Sequence, residues 1–67
     1  MEYTNTQIRE IIAEHLHDEK HRRLMERRLI DGITVERLGE EFDLSVSQVK
    51  RIIWKDSEII FRQLEKG

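Results

Sequence analysis

The stretch from Thr34 to Ile52 constrains the fold of this chain more than any other, because it contains two strong signals for the start of a helix. Thr34 is a good N-cap for a first helix that we expect to reach Phe42. Ser45 opens a second helix with a full capping box, since Gln48 follows three residues later. Two short helices in close succession are therefore predicted.

Gly39 indicates how these two helices pack. It lies on the apolar side of the first helix, one turn after Val35. Because glycine inside a helix costs ~1 kcal/mol relative to alanine, we expect a packing reason, namely the close approach of the second helix. That helix should begin at Val46, after a turn at residues 43–45. Two helices that cross over a small residue in this way predict a helix-turn-helix, whose second helix enters the major groove in DNA-binding versions.

The composition favours an all-α domain. The chain has 67 residues, of which 39% are charged, and it contains neither proline nor cysteine. This length suits one domain, over residues 1–67, with a thin core. We expect a four- to five-helix bundle containing the helix-turn-helix. No apolar run would cross a membrane and no leader is visible, so a cytoplasmic location is predicted.

Further capping signals place the first two helices. Residues 1–3 are predicted to form a short lead, that is, a loosely held segment before the first helix. Thr4 and Gln7 form a capping box, which predicts a helix from near residue 5 to about Leu16. Asp18 caps the next helix, and Gly32 ends it in the left-handed conformation.

The last helix has two predicted forms. It either continues to Glu65 or breaks at residues 55–57, where Asp56 and Ser57 both cap well. On a helical wheel Asp56 falls on the same face as the apolar residues, which favours the break. The apolar residues of that face are Val49, Ile53, Ile60 and Leu64.

The order of residues in this motif resembles domain 4 of bacterial RNA polymerase sigma factors, their DNA-binding domain. The resemblance covers roughly residues 18–55 and also fits small stand-alone proteins of this type from phages and mobile elements of Gram-positive bacteria. Asp43 stands where the family favours glycine, and the residues that begin the second helix lack the family's common Arg and Glu. The matching features are Thr34, Glu36, Leu38-Gly39, Phe42, Leu44-Ser45, Val49 and Ile52.

This resemblance implies a winged-helix-like, sigma region 4-like fold and a sequence-specific regulator of transcription that binds double-stranded DNA. In sigma factors the domain also contacts the flap of RNA polymerase. We expect a regulator or a detached recognition module rather than a complete sigma factor, since no promoter-melting region precedes the motif. A homodimer would span two half-sites.

Charge is unevenly distributed along the chain. The net charge of -2 argues mildly against nucleic acid as a partner. Acidic residues collect on the first motif helix, whereas Lys50, Arg51 and Lys55 lie on the second. Because phosphate attraction depends on local charge, we expect weak and strongly salt-dependent DNA binding.

The predicted recognition helix, about 46–55, turns one polar side away from the core. Gln48 suits adenine, and Lys50 or Arg51 suits guanine N7 and O6. Val46 suits a thymine methyl group or packs, and Thr34 can donate to a phosphate while it caps its helix. The motif favours DNA contact over an ordinary solvated face. The predicted DNA-binding residues are Thr34, Val46, Ser47, Gln48, Lys50, Arg51 and Lys55.

An arginine cluster before the motif has two interpretations of equal weight. Its members are Arg22, Arg23, Arg27 and Arg28. They are candidate phosphate contacts that would position the domain on DNA. Alternatively, they form a solvated helix face that pairs with Glu19 and Glu26.

Trp54 and Phe61 also have two interpretations. An exposed aromatic stripe would mark a protein interface, with RNA polymerase, a phage packaging subunit or a second copy as partner. We slightly favour the other interpretation, in which both rings fold back on the first helix and complete the core.

Catalysis and metal binding find no support in the sequence. His17 and His21 have the spacing of two ligands on one helix, but no third ligand is fixed by spacing, so surface or half-buried histidines are expected. There is no phosphate-binding glycine loop and no readable nucleophile–base pair. We expect no cofactor, no metal and no enzymatic activity.

Overall fold

The computed structural model describes residues 4–66, which form four helices and no strand. The helices are α1 (Asn5–His15), α2 (Glu19–Leu29), α3 (Val35–Phe42) and α4 (Val46–Lys66). The all-helical prediction is confirmed for this part of the chain. The predicted lead at residues 1–3 lies outside the described residues.

The first two helices begin where their caps predict. In α1 the Thr4 backbone N–H donates to Gln7 Oε1 over 2.9 Å, and the Gln7 N–H donates to Thr4 Oγ1 over 3.1 Å. In α2 the Asp18 carboxylate accepts from the Lys20 N–H at 2.8 Å and from the His21 N–H. These bonds satisfy backbone donors that lack a partner inside the helix.

Gly32 adopts the predicted left-handed conformation, two residues after Ile30, which is the C-cap of α2. Its φ of +69° lies in the left-handed region, which is readily available to glycine. The chain turns sharply there, and the Ile33 N–H donates back to the Arg27 carbonyl over 3.1 Å.

The core lies where α4 crosses the other three helices, while α2 also packs on α1 and α3. Every helix contributes at least one fully buried side chain, so each helix packs an apolar face inward. The side chains with no exposed surface are Ile12, Leu24, Met25, Leu38, Val49 and Ile60.

The last helix is continuous, so of the two predicted forms the uninterrupted one is correct and the favoured break near Asp56 is wrong. Asp56 does lie on the core face, where its residue is only 5% exposed. His21 on α2 reaches it, with 2.9 Å between His21 Nδ1 and Asp56 Oδ2. A buried carboxylate is costly without a partner, and this contact supplies one. The helix therefore passes through Asp56 without interruption.

Candidate nucleic-acid interface

The turn at residues 43–45 fixes how α4 leaves α3. Asp43 adopts φ 55° and ψ 49°, a left-handed conformation that aspartate tolerates better than most residues. The Leu44 N–H then donates to the Gly39 carbonyl over 2.8 Å. Asp43 thus provides the left-handed turn residue without being glycine.

Gly39 makes room for this turn. A Cβ atom at Gly39 would lie 2.7 Å from the Leu44 carbonyl oxygen, which is backbone and cannot easily move. The same atom would lie 3.9 Å from Val49 on α4, an ordinary contact distance. Gly39 therefore does permit a close approach, as predicted. The approaching group is the backbone of the turn, however, and not α4.

The predicted capping box at the start of α4 is present and involves a predicted DNA-binding residue. Gln48 Oε1 accepts from the Ser45 N–H at 2.9 Å, and the Gln48 N–H donates to Ser45 Oγ over 3.2 Å. The amide oxygen of Gln48 is therefore already bonded. A paired contact with adenine uses both the amide oxygen and the amide nitrogen of the side chain. It would therefore require the capping box to open.

The first half of α4 presents its cations to solvent. Lys50, Arg51 and Lys55 are exposed, as is Ser47. Within residues 4–66 no hydrogen bond or ion pair engages any of the three cations. Ser47, Lys50, Arg51 and Trp54 together border a shallow depression of about 460 Å³. We call the surface formed by Ser47, Lys50, Arg51, Trp54 and Lys55 the basic face.

Two further predicted DNA-binding residues, Thr34 and Val46, are also exposed. The Thr34 Oγ1 atom accepts from the Arg37 N–H over 3.3 Å, which confirms the predicted N-cap. Its hydroxyl proton is still available for donation to a phosphate. Val46 is 39% exposed, so its methyl groups are accessible at the start of α4.

Most of the arginine cluster is bonded inside the fold. Arg22 donates to the Leu16 carbonyl and, over 2.8 Å, to the Ala13 carbonyl at the end of α1. Arg28 donates to the Ile33 carbonyl over 3.0 Å. These arginines therefore hold the ends of helices and loops in place.

Arg27 pairs with two acids that were not predicted to be its partners. It donates to both carboxylate oxygens of Glu41 on α3, one of them at 3.1 Å, and to Asp31 at 3.2 Å. The predicted pairing of the cluster with Glu19 and Glu26 is wrong. The Arg27 guanidinium lowers the pKa of Glu41 through hydrogen bonding, and Glu41 raises the pKa of Arg27 in the same way.

Arg23 is the exception in this cluster. It is exposed, and among residues 4–66 it has no hydrogen-bond or ion-pair partner. Arg23 and Arg9 border a depression of about 430 Å³ that also contains Glu26 and Glu41. Arg23 therefore remains a candidate phosphate contact, in a mixed-charge setting.

Both aromatic residues of α4 are exposed, so the favoured core interpretation is wrong. Trp54 is 81% exposed and Phe61 is 46% exposed. Core positions on α4 belong instead to Val49 and Ile60.

The histidines do not gather other ligands. His17 lies in the loop between α1 and α2, and His21 contacts Asp56. In the described part of the chain, no three His, Cys, Asp or Glu side chains are grouped to hold a metal ion. Over the same residues, no helix is both long and apolar enough to span a membrane.

Comparisons of the chain with protein-family models, with curated proteins and with solved structures give no match. The interpretation of the basic face therefore depends on its own geometry and charge.

Proposed function

We propose that this protein binds double-stranded DNA and regulates transcription, with α3, the turn and α4 acting as a helix-turn-helix. In this proposal residues 46–55 lie in the major groove, in a manner similar to sigma factor domain 4. The observation that carries it is the basic face, where Lys50, Arg51 and Lys55 are exposed and bonded to no other described residue. Cations in this arrangement can contact phosphates or guanine without breaking a contact of the fold.

Local charge supports this orientation. The exposed acids Glu36 and Glu40 lie on α3, and no carboxylate among residues 4–66 borders the depression between Ser47 and Trp54. The first half of α4 can approach a phosphate chain while the net charge of the protein remains -2. A binding role of this kind needs no cofactor and no catalysis, and it places the protein in the cytoplasm with the DNA.

Selection of duplex DNA from a random pool at low salt tests the proposal. We expect enrichment of a defined sequence and, for Arg51→Ala, loss of discrimination at one position of that sequence. Absence of duplex binding at every salt concentration would exclude the proposal. Binding that is indifferent to changes at both Lys50 and Arg51 would exclude the assigned face.

The exposure of Trp54 and Phe61 favours a second candidate, a protein-interaction module on the same scaffold. They lie two turns apart on one side of α4 and add apolar surface outside the core. RNA polymerase, a phage packaging subunit or a second copy of the chain would be the partner. Sedimentation of the free protein tests the last of these, since a dimer would lose its association in Phe61→Ala.

A further inference from the structure

A second depression lies beside the basic face and is distinct in chemistry. It has a volume of about 380 Å³, and its apolar part is formed by Val35, Ile53 and the Trp54 ring. Arg28 and Lys50 lie on its border, together with Ser57. It connects α3 to the middle of α4, and it shares Lys50 and Trp54 with the basic face.

The charge around this depression selects the kind of ligand. Within the described part of the chain, its border has two cations and a hydroxyl but no carboxylate. Arg28 is held in position because its Nη1 donates to the Ile33 carbonyl over 3.0 Å, so its charge stays at this border. An anionic ligand with an apolar portion between its charges fits this pattern.

We infer that this depression holds the sugar–phosphate backbone of bound duplex DNA, with the Trp54 indole against a deoxyribose. A DNA strand alternates an apolar sugar with an anionic phosphate, which matches an apolar floor between Arg28 and Lys50. The indole has an apolar body and one N–H donor, so it can cover the sugar and donate to the adjoining phosphate. This inference depends on the proposed DNA-binding function and extends it to Trp54, Arg28 and the Val35–Ile53 floor.

Trp54 and Phe61 thereby receive different roles. The charged residues nearest to Phe61 along α4 are Arg62, which donates to Glu58 over 3.2 Å, and then Glu58 and Glu65. Because Glu58 offsets Arg62 and Glu65 adds a negative charge, the surroundings of Phe61 do not attract phosphate, whereas those of Trp54 do. Backbone contact carries no base information, so Trp54 should contribute affinity for every sequence alike.

The chain offers a direct probe, because Trp54 is its only tryptophan. Indole emission moves to shorter wavelength when water is excluded from the ring. We expect this shift when the full chain is titrated with unlabelled duplex DNA. With labelled duplex, Trp54→Ala should weaken binding about tenfold for specific and unrelated sequences alike, and Trp54→Phe should fall between. Phe61→Ala is the matched control and should bind as wild type.

The outcomes separate this inference from the function on which it depends. If wild type binds duplex DNA but Trp54→Ala binds equally well and the emission does not move, the inference is overturned while DNA binding stands. A loss confined to one sequence would make Trp54 a base reader and overturn backbone contact. A Trp54→Ala protein that keeps DNA affinity but no longer self-associates would assign the depression to protein. Failure of wild type to bind any duplex would remove both proposals.

Discussion

Most arginines of α2 and the cations in the first half of α4 look alike in the sequence, but they are used differently in the structure. On α2, Arg22 and Arg28 donate to backbone carbonyls, and Arg27 pairs with carboxylates. On α4, Lys50 and Arg51 have no such partner within residues 4–66.

Position in the bundle explains the difference. Both helices pack against all three others, but the outward-reaching arginines of α2 meet carbonyl groups where α1 and α2 end. The outer side of α4 meets solvent. A basic cluster therefore indicates a binding surface only when its cations have no partner within the fold. Four predictions test this difference between the inner contacts of α2 and the outer side of α4.

Removal of two cations from the basic face should have the largest effect. Lys50→Ala/Arg51→Ala should lower DNA affinity about 100-fold at low salt, with a smaller dependence of affinity on salt. The melting temperature should stay near that of wild type, because neither side chain is bonded to another described residue. Fluorescence anisotropy and thermal melting measure both quantities.

The matched control for that variant is Arg62→Ala/Lys66→Ala, which removes the same charge from the far half of the same helix. Equal losses in the two doubles would mean that DNA responds only to total charge, and the distinction of the basic face would then be lost.

On the inner side of α2, His21→Leu should lower the free energy of unfolding by about 2 kcal/mol, because it leaves buried Asp56 without its partner. Urea unfolding measures the change. His21→Leu/Asp56→Leu should recover most of the loss, since replacing both members of a buried polar pair is often neutral or stabilising. Additive losses in the double variant would contradict a direct coupling.

Arg22→Ala should destabilise the protein by about 1 kcal/mol, since two carbonyls at the end of α1 lose their donor. Arg23→Ala removes the neighbouring, exposed arginine and should leave stability unchanged. A comparison of their urea midpoints checks this. If the two variants unfold alike, Arg22 has no structural role and α2 resembles α4 after all.

The smallest effect should come from Glu41→Gln, because the Arg27–Glu41 pair is exposed and screened by salt. Arg27 lowers the pKa of Glu41 in the folded protein. The ion pair therefore stabilises the fold at pH values above the ordinary glutamate pKa of 4.5. This stabilisation is lost as pH falls through the lowered folded value.

The melting temperature of wild type should therefore exceed that of Glu41→Gln at neutral pH and converge with it in acid. Glu40→Gln, which removes an exposed carboxylate with no ion pair among residues 4–66, is the control. A difference that grows on acidification would have the wrong sign for this ion pair.

Local signals were enough to predict the helix starts. Thr4, Asp18, Thr34 and Ser45 act on backbone donors within three residues, so their effect does not depend on the rest of the fold. The continuity of α4 was not predictable in this way, because Asp56 and His21 are 35 residues apart along the chain. An acid on an apolar helix face does, however, signal that another helix must supply a partner.

The candidate site was predicted only in part. Periodicity correctly placed Lys50 and Arg51 outside the core, because it reports the face of a single helix. It could not reveal the Val35–Ile53 floor beside Trp54, since two separate helices form it. Nor could it distinguish Arg23 from Arg28, whose partners depend on tertiary contacts.

The uninterrupted course of α4 has a mechanical consequence. Lys50 and Phe61 lie on one rigid rod, about 16 Å apart along its axis at ~1.5 Å per residue. A protein that bound around Phe61 would be held at a set distance and rotation from whatever Lys50 touches. The helix would then fix the spacing of the two binding partners, and a proline placed between the two positions would kink the helix and change that spacing.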